Sequence, residues 1–78
     1  MSWYVYILRC ADDTLYTGIT TDVVRRLREH NEAKLGAKYT RARRPVVLVY
    51  KKRFTSRSTA AIREAALKKL SREAQLML

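Results

Sequence analysis

Residues 3–8, WYVYIL, are apolar or aromatic at odd and even positions alike. A strand with one wet face alternates, whereas a strand covered on both faces reads as a continuous apolar run. The run therefore predicts a strand with helices above and below it. The polar triplet ADD at 11–13 interrupts the pattern and TLYTGIT at 14–20 resumes it, so the two segments predict an antiparallel hairpin closed by a three-residue loop. With that loop Leu8 lies opposite Tyr16, Tyr6 lies opposite Gly18, and Tyr6 and Tyr16 share a face.

Gly18 is one of only two glycines in the chain. In a strand interior a glycine loses more backbone freedom than other residues and supplies nothing to pack. Its position opposite Tyr6 points to a space kept open beside the phenol, where two tyrosines meet on one face. An ordinary aromatic cross-strand pair with the glycine marking a bulge would give the same spacing.

After the hairpin, Thr21 or Asp22 is a candidate cap for a helix through VVRRLREHNEAK, with Gly36 as its stop. At 100° per residue Val23, Val24 and Leu27 form the predicted buried stripe, and Arg25, Arg28, Glu29 and Glu32 point outward. Arg26 and His30, spaced i,i+4, fall between the two along one edge. Pro45 separates the stretch KYTRARR from a third strand, VVLVYKK. From Thr55 onward a helix is predicted to run to the end of the chain, capped by Thr55 or Ser56. Its predicted apolar side is Ile62, Ala66, Leu67, Leu70 and Ala74, with Arg63 intruding on the stripe. Glu64 stands at the edge of that stripe, where an i,i+4 pair with Lys68 would account for it.

The fold class expected from these elements is α+β, a small antiparallel sheet flanked by helices, in one domain spanning residues 1–78. A chain of 78 residues buries a small core. Charge then narrows the function. Seventeen Lys and Arg against seven Asp and Glu give a formal charge of +10, which attracts polyanions whatever the fold. Residues 1–24 hold one base and three acids, whereas 25–57 hold twelve bases and two acids. The densest part interleaves Tyr39 with Lys38, Arg41, Arg43 and Arg44, which suits phosphates and a stacked base. A solvated basic loop is the plain alternative. The lone Cys10, the lack of a signal-like opening and the lack of an apolar run of about 18 residues predict a reduced, soluble, cytoplasmic protein. Nucleic acid is thus the expected partner, and a membrane is not.

The ordered set YVYIL, YTGIT, RRLREH and REAALKKL resembles the GIY-YIG nuclease domain over nearly the whole chain. It is most similar to the small stand-alone bacterial members of that superfamily, which the stretch KYTRARRPVVLVY also resembles. The resemblance implies a three-stranded antiparallel sheet flanked by helices, with the site on one concave face. It gives Tyr6 to the first motif, Tyr16 and Gly18 to the second, and the catalytic arginine to Arg26. His30 takes the place of a second polar helix residue, and Glu64 that of the glutamate that binds Mg²⁺ or Mn²⁺. Ile19 stands where the DNA-repair branch carries a lysine, and SREAQLML holds no counterpart of that branch's asparagine.

The function implied is metal-dependent hydrolysis of phosphodiester bonds in DNA, in branched or damaged structures, with RNA left open. The chemistry needs an activated water, neutralisation of phosphoryl charge and stabilisation of the leaving oxygen. A free tyrosine titrates near 10, so a tyrosine base needs positive charge nearby, and Arg26 is the expected source. Tyr6 is the favoured base, with Tyr16 orienting water or phosphate and His30 binding phosphate or assisting proton transfer. The alternative is a nucleic-acid-binding module that keeps the fold with little turnover.

Overall fold

The first apolar run forms the middle strand of a sheet. The computed structural model describes residues 2–32 and 38–78, apart from the side chains of residues 38 and 39. In it β1 (Trp3–Arg9) lies between β2 (Leu15–Thr20) and β3 (Val47–Phe54), antiparallel to both. Val5 and Ile7 on one face of β1 pack with Ala60 and Leu67 of helix α3 (Arg57–Lys68). Tyr6 and Leu8 on the other face pack with Cys10 and Val46, and with Tyr16, Leu48 and Leu27 of helix α1 (Val23–Glu32). Covering on both faces explains the continuous apolar run. Each large aliphatic side chain buried this way stabilises the fold by about 1.5–3 kcal/mol.

The hairpin has the predicted register, with Tyr6 paired to Gly18 and Leu8 to Tyr16. A bond of 2.8 Å from the Cys10 amide to the Thr14 carbonyl closes a loop of three residues. Asp13 turns that loop with a φ of 68°, a left-handed conformation that aspartate tolerates. Arg72 of α4 (Arg72–Leu76) tethers the tip, pairing with the Asp13 carboxylate at 2.6 Å and donating Nε to its carbonyl at 2.8 Å. On the other side of β1 the pairing with β3 is irregular between Ile7 and Leu8, where a bulge leaves Val49 without a partner position.

The helices depart from expectation in α1 and again in the last segment. Asp22 is the cap of α1, accepting from the Arg25 amide at 3.0 Å, but the buried side runs through Val23, Leu27 and His30, and Val24 is 69% exposed. Glu29, expected to point outward, is half-buried and paired with Arg26. The stop expected at Gly36 lies outside the described residues.

The last segment is two helices rather than one. Ser56 caps α3 as expected, and the helix ends at Lys68. Ser71 then opens α4 by accepting from the Ala74 amide, because a serine hydroxyl satisfies a free helix N–H better at a new start than in a helix interior. The Gln75 amide donates to the carbonyls of Leu67 and Leu70, which helps hold the break. The predicted apolar side forms only in part: Leu67 is fully buried as expected and packs with Ala60, whereas Ile62 is 70% exposed and Ala66 and Leu70 are exposed. Arg63 is half-buried, and its Nε has no hydrogen-bond partner among the described residues. A short helix α2 (Lys38–Arg41) precedes β3. No helix among the described residues is long and apolar enough to cross a membrane.

Candidate active site

Tyr6, at the centre of β1, is 2% exposed and sits under α1. Its phenol oxygen lies 2.9 Å from His30 Nε2, and His30 Nδ1 lies 2.8 Å from Thr40 Oγ1 of α2. His30 and Thr40 are fully buried. The ring of Tyr16 completes the cluster, its centroid 5.1 Å from that of His30 and 6.4 Å from that of Tyr6. Three elements thus converge on one imidazole.

Burial holds this cluster neutral. Desolvation pushes the Tyr6 phenol up to about 12, although the Arg26 guanidinium beside it pulls the other way. Desolvation, with help from Arg26 and Arg44, pulls His30 down to about 4. Sequence reasoning expected Arg26 to lower the tyrosine, and it acts in that direction, but burial is the larger effect. Arg26 donates towards the phenol oxygen, and the imidazole of His30 bridges the Tyr6 and Thr40 hydroxyls, one on each ring nitrogen, with donor and acceptor set by its tautomer. Arg26 is itself oriented by Glu29, 3.0 Å away in the same helix.

Gly18 provides the space expected of it. A Cβ at this position would fall 2.6 Å from Tyr6 Oη and 2.7 Å from Cζ. Its φ is not positive, so the close approach of the phenol, rather than backbone conformation, accounts for the missing side chain.

Glu64 belongs to α3, whose buried residues Ala60 and Leu67 pack on the Val5 and Ile7 face of β1. Its carboxylate nevertheless lies close enough to act on the Tyr6 phenol electrostatically, and it pairs with Lys68 at 3.4 Å. No group of three or more His, Cys, Asp or Glu suited to a metal occurs among the described residues. Glu64 offers one hard oxygen donor, which fits Mg²⁺ or Mn²⁺ completed by water and phosphate oxygens rather than a closed protein cage.

The basic stretch divides by role. Arg41 is exposed, Arg43 pairs with Asp12 at 2.9 Å, and Arg44 donates to the carbonyls of His30 and Glu29 at 2.5 and 3.3 Å. The side chains of Lys38 and Tyr39 lie outside the described residues. Two supporting residues had no signature in the sequence. Thr40, inside a run of bases, holds the imidazole, and Asn31 exchanges two hydrogen bonds with the Val46 backbone at 3.0 and 2.7 Å, joining α1 to the segment leading into β3. A lone polar residue next to a charged one carries no periodic signal that would have marked either.

Residues 2–77 match the family model described as the GIY-YIG catalytic domain. The chain belongs to the GIY-YIG family. That places it in a superfamily of nucleases. This GIY-YIG chain is 59% identical over 70 residues to a UPF0213 protein of Desulfotalea psychrophila, covering 90% of itself and 64% of that relative. It is 55% identical to a UPF0213 protein of Syntrophus aciditrophicus, covering 96% of itself and 86% of that chain. Among solved structures it resembles a UPF0213 protein of Bacillus halodurans determined by NMR, with a TM-score of 0.59, 48% identity, and coverage of 96% and 79% of the two chains. An E. faecalis protein, also determined by NMR, matches with a TM-score of 0.68 and 46% identity over 99% of this chain and 81% of the other. The three-stranded antiparallel sheet with flanking helices is the GIY-YIG fold.

Proposed function

We propose that this GIY-YIG protein is a cytoplasmic, divalent-metal-dependent endonuclease that hydrolyses phosphodiester bonds in DNA, with branched or damaged structures as its targets. The observation that carries this reading is the buried line Tyr6, His30, Thr40 with Arg26 alongside. A phenol at about 12 is a poor base alone, but a phenol that donates to a neutral imidazole passes a proton on as it receives one. In the hydrolytic step a water placed beside Tyr6 Oη gives its proton to that oxygen while the phenol's proton moves to His30 Nε2. The resulting hydroxide attacks phosphorus and the P–O bond to the leaving oxygen breaks. The negative charge of a bound phosphodiester makes the imidazolium easier to form, and Thr40 keeps accepting from Nδ1.

Arg26 has two tasks at this point. Its guanidinium favours negative charge on the phenol and can hydrogen-bond phosphoryl oxygens as their charge grows. Tyr16, with its ring against His30, orients the water or the phosphate. A divalent ion held by Glu64, water and phosphate oxygens would neutralise the phosphate and the leaving oxygen. Lys68, whose own side chain is exposed, is no obstacle to it, because an i,i+4 pair on a helix surface contributes only a few tenths of a kcal/mol.

A second reading, a nucleic-acid-binding module with little turnover, draws support from Glu64 being the one carboxylate proposed to hold the ion. Labelled single-stranded, duplex, nicked and branched DNA incubated with Mg²⁺, Mn²⁺ or a chelator separates the two. Cleavage that requires the ion supports the nuclease. Binding without cleavage of any substrate supports the module.

A further inference from the structure

A second groove opens on the Tyr6 face of the sheet, one step along β1. Its volume is about 210 Å³, and Tyr4, Thr21, Asp22, Val23, Val24 and Lys51 line it. The strand register fixes its relation to the active site. Tyr6 pairs with Gly18 on one side and Lys51 on the other, and Tyr4 pairs with Thr20 and Arg53. Opposed residues of an antiparallel pair project from the same face, so Tyr4, Tyr6, Lys51 and Arg53 share one face of the sheet, with Tyr4 about 7 Å along the strand from Tyr6. Arg53, just outside the groove lining, donates Nε to Ser2 Oγ at 2.6 Å. Tyr4 is half-buried, Lys51 and Arg53 are exposed, and the exposed Val24 forms an apolar lip that the core does not use.

An aromatic ring and two valines with cations at the rim match one kind of ligand in particular. A nucleobase presents a flat π-face to the ring and carries a phosphate on each side for the cations. We propose that this groove takes the base adjacent to the scissile phosphate, stacked on Tyr4 between Val23 and Val24, with Lys51 and Arg53 on the flanking phosphates. The identity of the scissile phosphate rests on the nuclease reading above; the groove itself does not. Bases inside a duplex have both faces stacked already, so the groove selects single-stranded or locally unpaired nucleic acid. Thr21 and Asp22 offer oxygen acceptors to a base's amino edge.

The test is metal-free equilibrium binding of a labelled single-stranded hexanucleotide and of a six-unit strand of abasic sugar phosphates. Wild-type protein is expected to prefer the strand with bases by roughly 5-fold or more, the effect of about one stacked base. Tyr4→Leu erases the preference and Tyr4→Phe retains it. Val24→Glu, at a position outside the core, also erases it and decides the matter if Tyr4→Leu does not fold. Lys51→Ala weakens both strands equally and lowers the slope of log affinity against log salt by about 0.7. No preference in the wild type, or a preference that survives Val24→Glu, overturns the proposal. A preference that depends on Tyr4 or Val24 in a protein that cuts nothing leaves the groove standing and removes the nuclease; cleavage without the preference does the reverse.

Discussion

Replacing Gly18 with alanine adds one methyl group against the most constrained atom of the site. The new Cβ would lie 2.6 Å from Tyr6 Oη, 2.7 Å from Cζ and 3.2 Å from Cε1, where carbon contacts settle at about 3.5–4.0 Å. The ring must therefore move by roughly 1 Å. It has little freedom to do so, because it is 2% exposed and its oxygen is held by His30 at 2.9 Å. Overpacking of this kind destabilises by about 1–3 kcal/mol, and for a domain of this size each kcal/mol lowers the melting temperature by about 4–8 °C. The backbone adds no strain, since Gly18 has no positive φ. Cleavage suffers more than stability, because a displacement of 1 Å at a reacting group costs about 100-fold in rate. Calorimetry and single-turnover cleavage of the two proteins, at a temperature where both are folded, give the comparison. A variant that melts like the wild type and cuts at full rate would refute the close-approach account of Gly18.

His30 makes stability depend on acid. Its folded value is about 4 against 6.5 unfolded, so the unfolded chain binds the extra proton between those values. The stabilisation is whole above pH 6.5 and falls by about 3 kcal/mol as pH drops through 4; urea titrations across that range should show the loss, and His30→Gln should flatten it. Glu64→Gln should bring cleavage to background while metal-free DNA affinity holds or rises slightly, whereas Lys68→Ala should cost a few tenths of a kcal/mol and leave cleavage intact. Full metal-dependent cleavage by Glu64→Gln would remove Glu64 from the site. Arg41→Ala should lower the salt slope of DNA binding by about 0.7–0.9 without a change in melting, whereas Arg44→Ala should lower the melting temperature by several degrees, because its guanidinium holds two carbonyls at the end of α1. The reverse pattern would exchange their roles.

The hairpin was legible because two constraints agreed: a continuous apolar run and a loop whose length sets the register. Placing Tyr6 against Gly18 required nothing else. Helix faces were less secure. Val23 and Val24 differ by 100° around α1, and the sequence does not say which one turns inward when an imidazole seven residues on, rather than a hydrocarbon, completes the buried side. The break after Lys68 turned on Ser71 acting as a cap, a role that its position inside a helical pattern concealed. Arg41, Arg43 and Arg44 looked alike as bases, but Arg41 is free of the carbonyl clamp that engages Arg44, and only the path of α1 separates them. Glu64 is the least legible, since a ligand and an i,i+4 partner of Lys68 require the same residue at the same place.

The central claim is that the Tyr6 phenol, hydrogen-bonded to a buried neutral His30, serves as the base for phosphodiester hydrolysis. Single-turnover cleavage of a branched DNA by wild type and by Tyr6→Phe, each with Mg²⁺, with Mn²⁺ and with chelator, tests it most directly. Tyr6→Phe keeps the ring and removes the one atom of Tyr6 that hydrogen-bonds His30. The predicted result is ion-dependent cutting by the wild type and background by the variant at a temperature where both are folded. Cutting by Tyr6→Phe at the wild-type rate, or none by the wild type with either ion, would contradict it.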